Sequence, residues 1–297
     1  MAVAMSLPTS IPTKRIGLET WMDRVLEKLE QVRSGWDADD VHDLRVALRR
    51  CRSMSDALSE VNPGPGWRKL KKASREVFHT LGDLRDVQVE RAWLKKLEPP
   101  GDPVRRHMLR LLSREETKYK RTAEQAFGRF DRKEWKKLTK KLAAKASFFP
   151  VESVVFQRLA LSRLNRAVEL YREARKRRTA ASWHRLRIGV KNFRYIVENF
   201  LPQRSEVWID DLKRMQDLLG DVHDMDVLRG RIRKEAPRLN PAAVAQWIER
   251  IDAERKVLLR EFLAKTAGPE SPWLTWRAGF QWGHALVAAS FAQRRTA

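Results

Sequence analysis

Apolar residues recur at three- and four-residue spacing along almost all of the chain, and short turns containing Gly or Pro divide the runs. That period is the signature of amphipathic helices, and runs that alternate every second residue are few, so the pattern predicts an all-α protein. A first helix runs from Leu18 to about Arg33 and stops at Ser34-Gly35, and Asp37 to Asp40 supply an N-cap for a second from Val41 to Leu58. After the turn Asn62-Pro63-Gly64-Pro65-Gly66, a third helix spans Trp67 to Leu97 and closes at Pro99-Pro100-Gly101, and a fourth runs from Pro103 to about Phe127. The same order returns at 154–175, 182–201, 206–236 and 241–266, with Pro202 to Ser205 as the turn between its second and third helices. These boundaries predict two up-and-down four-helix sets of long helices, at 16–130 and 150–267, joined by a connector helix within 131–149. Residues 1–15, interrupted by Pro8 and Pro12, read as a disordered tail, and 268–297 as a closing helix carrying Trp276, Phe280 and Leu286.

Two of the predicted helices share a sequence. Val41 to Leu58 reads VHDLRVALRRCRSMSDAL and Trp183 to Phe200 reads WHRLRIGVKNFRYIVENF, an offset of 142 residues (184 − 42). In each, a histidine is followed by basic residues three, seven and ten positions on: His42, Arg45, Arg49, Arg52, and His184, Arg187, Lys191, Arg194. At about 100° per residue the four fall within roughly 80° of one another, forming a cationic stripe roughly 15 Å long. Leu44, Leu48, Cys51 and Leu58 lie on the opposite side, and Leu186, Val190, Phe193 and Phe200 repeat them. Surface charge tolerates drift, so the repeated register points to a ligand held by both copies of an internal duplication.

A second repeat links the third helices, at an offset of 138 (220 − 82): LGDLRDVQV at Leu81 to Val89 and LGDVHDMDV at Leu219 to Val227. Gly82 and Gly220 fall on the polar face inside a helix, where glycine costs about 1 kcal/mol relative to alanine, so something approaches the backbone there or two helices cross closely. Lys213 and His223 share that face in the second copy, and Arg75 and Arg85 hold the corresponding places in the first, with Lys71 extending the stripe. With the polar faces of the second and third helices side by side, Asp86 and Asp224 would hold the long cations by charge-assisted hydrogen bonds.

Composition sharpens this picture. The chain of 297 residues carries 61 Lys+Arg against 38 Asp+Glu, a net +23, which favours capture of a polyanion without saying which one. A single cysteine excludes an internal disulfide framework, and Cys51 falls on an apolar stripe, so it reads as buried and inert. No window is long and apolar enough to span a membrane, and no signal peptide is evident, so the expectation is a cytoplasmic protein. The count of 11 Trp at helical core spacing favours packing over base stacking, and the motif stripes show no exposed aromatic. The dipeptides His42-Asp43 and His223-Asp224 invite a metal site, but arginines surround His42 and repel a divalent cation. Phosphohistidine transfer would need nucleotide and Mg²⁺ machinery that no motif supplies. We therefore assign no catalytic residue, no metal and no cofactor.

The pairing of an H-x-L-R-[VI]-x-x-[KR]-x-x-R helix with an LG-D-x-x-D helix, each present twice, resembles the CHAD family, the conserved histidine α-helical domain. The likeness is close at VHDLRVALRRCR, WHRLRIGVKNFRY and MQDLLGDVHDMDVL and spans about Arg15 to Arg295. It implies two pseudo-symmetric four-helix bundles, binding of inorganic polyphosphate where they meet, and association with polyphosphate granules. On this resemblance the binding positions are His42, Arg45, Arg49, Arg52, His184, Arg187, Lys191 and Arg194, with Lys71, Arg75, Lys213 and His223 as additions. The function expected is that of a non-enzymatic polyphosphate-binding module. Its rivals are a nucleic-acid-binding basic protein, which shares the electrostatics, and a polyphosphate-processing enzyme.

Overall fold

The structure, a computed structural model, describes residues 17–97 and 101–280. The disordered tail expected at 1–15 and the last part of the closing helix lie outside the described residues. Among the described residues the chain is helical with no strand: α1 (Leu18–Gly35), α2 (Ala38–Val61), α3 (Pro65–Ala73), α4 (Arg75–Leu97), α5 (Pro103–Arg129), α6 (Arg132–Ser147), α7 (Val154–Arg177), α8 (Ala180–Phe200), α9 (Pro202–Glu235) and α10 (Pro241–Thr266). A helical stretch at 272–280 begins the closing segment.

Local chemistry sets most of these boundaries. α1 ends at Gly35 as expected, and the residue after it, Trp36, takes left-handed φ 56° and donates its N–H to the Val32 carbonyl. Asp37 then caps α2, its carboxylate accepting from Asp39 N at 2.8 Å. Asp102, Asp131 and Asn240 cap α5, α6 and α10 in the same way. Pro202 is not a turn residue: it occupies the first position of α9, where its fixed φ suits a helix and its missing N–H is not needed. Glu152 completes that start by accepting from Gln203 N at 2.9 Å and from Arg204 Nη1 at 2.6 Å.

The third predicted helix is two helices. Ser74 breaks it because its hydroxyl returns to the Leu70 carbonyl at 3.0 Å, and Arg52 of α2 donates to the Lys71 carbonyl at 2.8 Å and to Ser74 Oγ at 3.2 Å. Side chains that insert into the i to i−4 ladder divert its acceptors and bend the rod. Its counterpart α9 has no such intrusion and runs unbroken for 34 residues.

Consecutive helices pack on one another from α1 to α2, α4 to α5, and α7 through α10. The helix expected to be a connector is part of the first half: α6 lies against α1 and α3, with Trp135 fully buried and its indole donating to the Met22 carbonyl at 2.9 Å. Gly66 allows this approach, since a Cβ there would meet Leu142 Cδ2 at 2.8 Å. The halves join where α2 meets α8, α4 meets α9 and α5 meets α10, and one continuous apolar cluster runs through both. Every described tryptophan is buried or half-buried, as the helical spacing predicted. Cys51 is fully buried, and burial pushes its thiol pKa up, so it is inert.

Candidate functional site

The contact between α2 and α8 brings the two copies of the histidine motif together. Their apolar sides, Leu44, Leu48 and Cys51 on one helix and Leu186, Val190 and Phe193 on the other, are wholly buried. Each helix is thereby fixed in rotation, and Arg49 and Arg52 of the first stripe and Lys191 of the second line a shared cleft. The cleft encloses about 470 Å³ and has Arg49 of α2, Lys191 and Tyr195 of α8, and Phe78 of α4 in its wall. Asp56 and Glu60 also border it, but Asp56 is paired with Lys71 at 2.6 Å and Glu60 with Arg163. The acids at the mouth are thus spent on other partners.

Four cations form the centre: Arg45 and Arg49 from the first motif, Arg187 and Lys191 from the second. They act on one another closely enough that Arg187, Arg49 and Arg45, after burial itself, lower the Lys191 pKa to about 8. Arg45 Nη1, Arg49 Nε and Arg187 Nε are buried and make no hydrogen bond. A buried donor without an acceptor is costly; of these three arginines Arg49 stands in the cleft wall, and Arg45 and Arg187 lie close enough to act on Lys191 beside it.

The glycine motif contributes the floor. A Cβ at Gly82 would stand 3.0 Å from Arg45 Nη1, so what approaches the helix there is the guanidinium of the neighbouring motif rather than another backbone. Around Gly220 the corresponding space is open. The two copies are therefore not used alike.

Asp86 and Asp224 behave differently from the sequence expectation. Neither forms an ion pair with the stripe cations; Asp224 instead accepts a hydrogen bond from Trp93. Burial, opposed by Arg187, raises the Asp224 pKa to about 6, and burial opposed by Arg45 also raises that of Asp86. Placed at the α4–α9 contact, they bias Arg45 and Arg187 through space and leave the guanidinium nitrogens available.

The histidines are not simple cations. His184 and His223 meet with Nδ1 atoms 3.3 Å apart, one ring donating to the other. Burial, then Arg187, depresses both, His223 to about 4, so the pair is neutral at pH 7. His42 is exposed outside the cleft wall; partial desolvation and the nearby Arg85 and Arg49 lower its pKa too.

The remaining sequence candidates are engaged or distant. Arg52 is tied to the α3–α4 break and lies over Phe78 at 4.8 Å. Arg194 is held by Glu198 at 2.6 Å, a carboxylate that also pairs with Arg50. Lys71 pairs with Asp56, while Arg75 and Lys213 are exposed, Lys213 making no ion pair with a described residue. Tyr195 is an addition: it follows His184 by eleven residues, about 20° round the helix and at the edge of the stripe. Its hydroxyl is buried without a partner, and Arg49 and Arg50 cover its ring at 5.7 and 6.0 Å.

These features define an all-helical protein whose two halves set paired basic helices across a cleft. The CHAD domain family matches residues 17–233, and the chain belongs to that family. Among solved structures, it is similar to the CHAD domain from the plant Ricinus communis, at 24% identity and TM-score 0.57 over 89% of each chain. It is also similar to PptA from Streptomyces chartreusis, at 17% identity and TM-score 0.59 over 84% of this chain and 96% of that one. At these identities the likeness shows the fold. No curated protein matches the sequence.

Proposed function

We propose that the protein binds inorganic polyphosphate in the cleft between α2 and α8 and does not process it. The observation that carries this reading is the set of buried, unpartnered guanidinium nitrogens on Arg49 in the cleft wall and on Arg45 and Arg187, all three acting on the Lys191 amine. A linear chain of phosphates offers oxygen acceptors at short, regular intervals and has no base or sugar to be recognised. Guanidinium groups already fixed by packing lose little entropy on meeting it. His184 and His223 border the same cations and would gain protons as the anion arrives. Among the described residues no helix is long and apolar enough to cross a membrane, and association with polyphosphate granules follows from this reading.

Nucleic acid shares the charge requirement, but it also calls for open aromatic faces. The two rings in the cleft wall, Phe78 and Tyr195, are covered by Arg52 and by Arg49 and Arg50. Competition against fluorescent polyphosphate decides between them: unlabelled polyphosphate should displace the probe better than single-stranded RNA or DNA of equal charge. Stronger displacement by RNA reverses the assignment. Incubation of long chains with Mg²⁺ or Mn²⁺ should release no phosphate and shorten no chain. Processing under those conditions would make the protein an enzyme.

A further inference from the structure

Lys191 differs from the other cleft cations in being a potential nucleophile. It lies midway along α8 in the cavity wall, half-buried, with Arg187 one turn away on its own helix and Arg45 and Arg49 facing it from α2. Several lysines elsewhere are held by acids: Lys28 by Asp43 at 2.8 Å, Lys71 by Asp56 at 2.6 Å, Lys96 by Glu254 at 3.2 Å. The acids that share the Lys191 cavity, Asp56 and Glu60, are bound by Lys71 and Arg163, and Lys191 pairs with neither. The groups that act on its amine are thus three guanidinium ions, and two of them, Arg49 and Arg187, have buried Nε atoms with no hydrogen-bond partner.

We propose that Lys191 is a covalent acylation site served by acyl phosphates, whose phosphoryl group docks on the guanidinium nitrogens of Arg49 and Arg187. The neutral Nζ attacks the acyl carbon, and the bond from that carbon to the phosphate oxygen breaks. Inorganic phosphate leaves with the electron pair, stabilised by the same guanidinium groups, and the new amide nitrogen gives its proton to water. The products are acyl-lysine and phosphate, with no oxidant or reductant required. Burial and the surrounding cations support the first step, because a pKa of about 8 leaves about half of the amine unprotonated at pH 8. An ordinary lysine exposes roughly 1 in 300 as free amine at that pH. Acylation replaces a cation of the cleft by a neutral amide, so the second half of the inference, loss of polyanion affinity, rests on the proposed function.

The test uses the full chain with acetyl phosphate at pH 8, followed by a mass-spectrometric time course for each lysine. Lys191 should acetylate about tenfold faster than the exposed Lys213 and Lys72, the larger free-amine fraction being partly offset by the weaker nucleophilicity of a less basic amine. A neutral acetylating reagent without phosphate, N-hydroxysuccinimidyl acetate, should favour the exposed lysines instead. Treated wild-type protein should lose about tenfold in polyphosphate affinity relative to its untreated form, and K191R should change less than twofold on the same treatment. Equal rates at Lys191 and Lys213, or the same preference with both reagents, overturns the inference. Untreated affinity reads the polyphosphate assignment separately: selective acetylation of Lys191 in a protein that ignores polyphosphate would leave the acylation site standing and remove only its consequence.

Discussion

Replacing Gly82 by alanine separates the folding of α4 from the use made of its surface. Inside a helix the change removes backbone freedom from the unfolded chain and is worth about 1 kcal/mol in favour of the folded state. For a chain of this size that raises the melting temperature by about 2 °C. The new methyl would stand 3.0 Å from Arg45 Nη1, so the guanidinium has to move by a few tenths of an ångström. Arg45 would then meet a phosphate oxygen less well, and a charge-assisted hydrogen bond is worth about 1.5–3 kcal/mol. A small displacement forfeits the lower end of that range, about tenfold in affinity. Gly220 is the control, because no atom outside its own helix lies within 4 Å of a Cβ there. G220A should bring the same gain in melting temperature with unchanged affinity. Thermal melts followed by circular dichroism and titration of labelled polyphosphate read the two effects independently. Wild-type affinity in G82A, or equal losses in both variants, would refute the role given to Arg45.

Three further outcomes are expected. Polyphosphate should bind with proton uptake: its charge raises the depressed pKa values of His184 and His223, so affinity increases as pH falls from 7 towards 5. Calorimetry in buffers of different ionisation enthalpy measures that uptake, and zero protons taken up at pH 6 contradicts it. In the unliganded protein the same histidines oppose folding in acid, since a lowered His pKa gives stability that is present above 6.5 and lost as pH falls through that range. Asp224 and Glu90, raised to about 6 and about 7, have the contrary sign and favour the folded state as pH falls. The logarithm of affinity against the logarithm of salt should have a slope of roughly −3 to −4, as four cations neutralise phosphates; a flat line excludes the contact. W135A should destabilise by about 3–5 kcal/mol in urea unfolding, as expected of a core residue and not of a linker.

Much of the fold was legible because a helix that must bury one side announces it every three or four residues. The same periodicity placed His42, Arg45 and Arg49 opposite Leu44 and Leu48, and Arg187 and Lys191 opposite Leu186 and Val190, since the two faces of a rigid helix cannot be chosen separately. Helix ends were legible where side chains such as Asp37 and Asp102 cap their own neighbours. The closing edge of α3 was not, because Ser74 alone would pass unnoticed in a helix; the break depends on Arg52 arriving from α2.

What the stripe could not say is which of its cations are committed elsewhere. Arg194 and Arg52 have the same spacing as Arg187 and Arg49, yet one meets Glu198 a turn further along its own helix and the other meets the Lys71 carbonyl and the Ser74 hydroxyl at the α3–α4 break. Histidine charge was equally hidden: His184 and His223 stand 39 residues apart, and only their contact beside Arg187 makes them neutral. Sequence alone determined which side of each helix faces inward, because burial of apolar groups is set locally by helical geometry. Tertiary structure decided the electrostatic state of the exposed side, because Coulomb and desolvation effects depend on distances between residues that the chain order leaves unspecified.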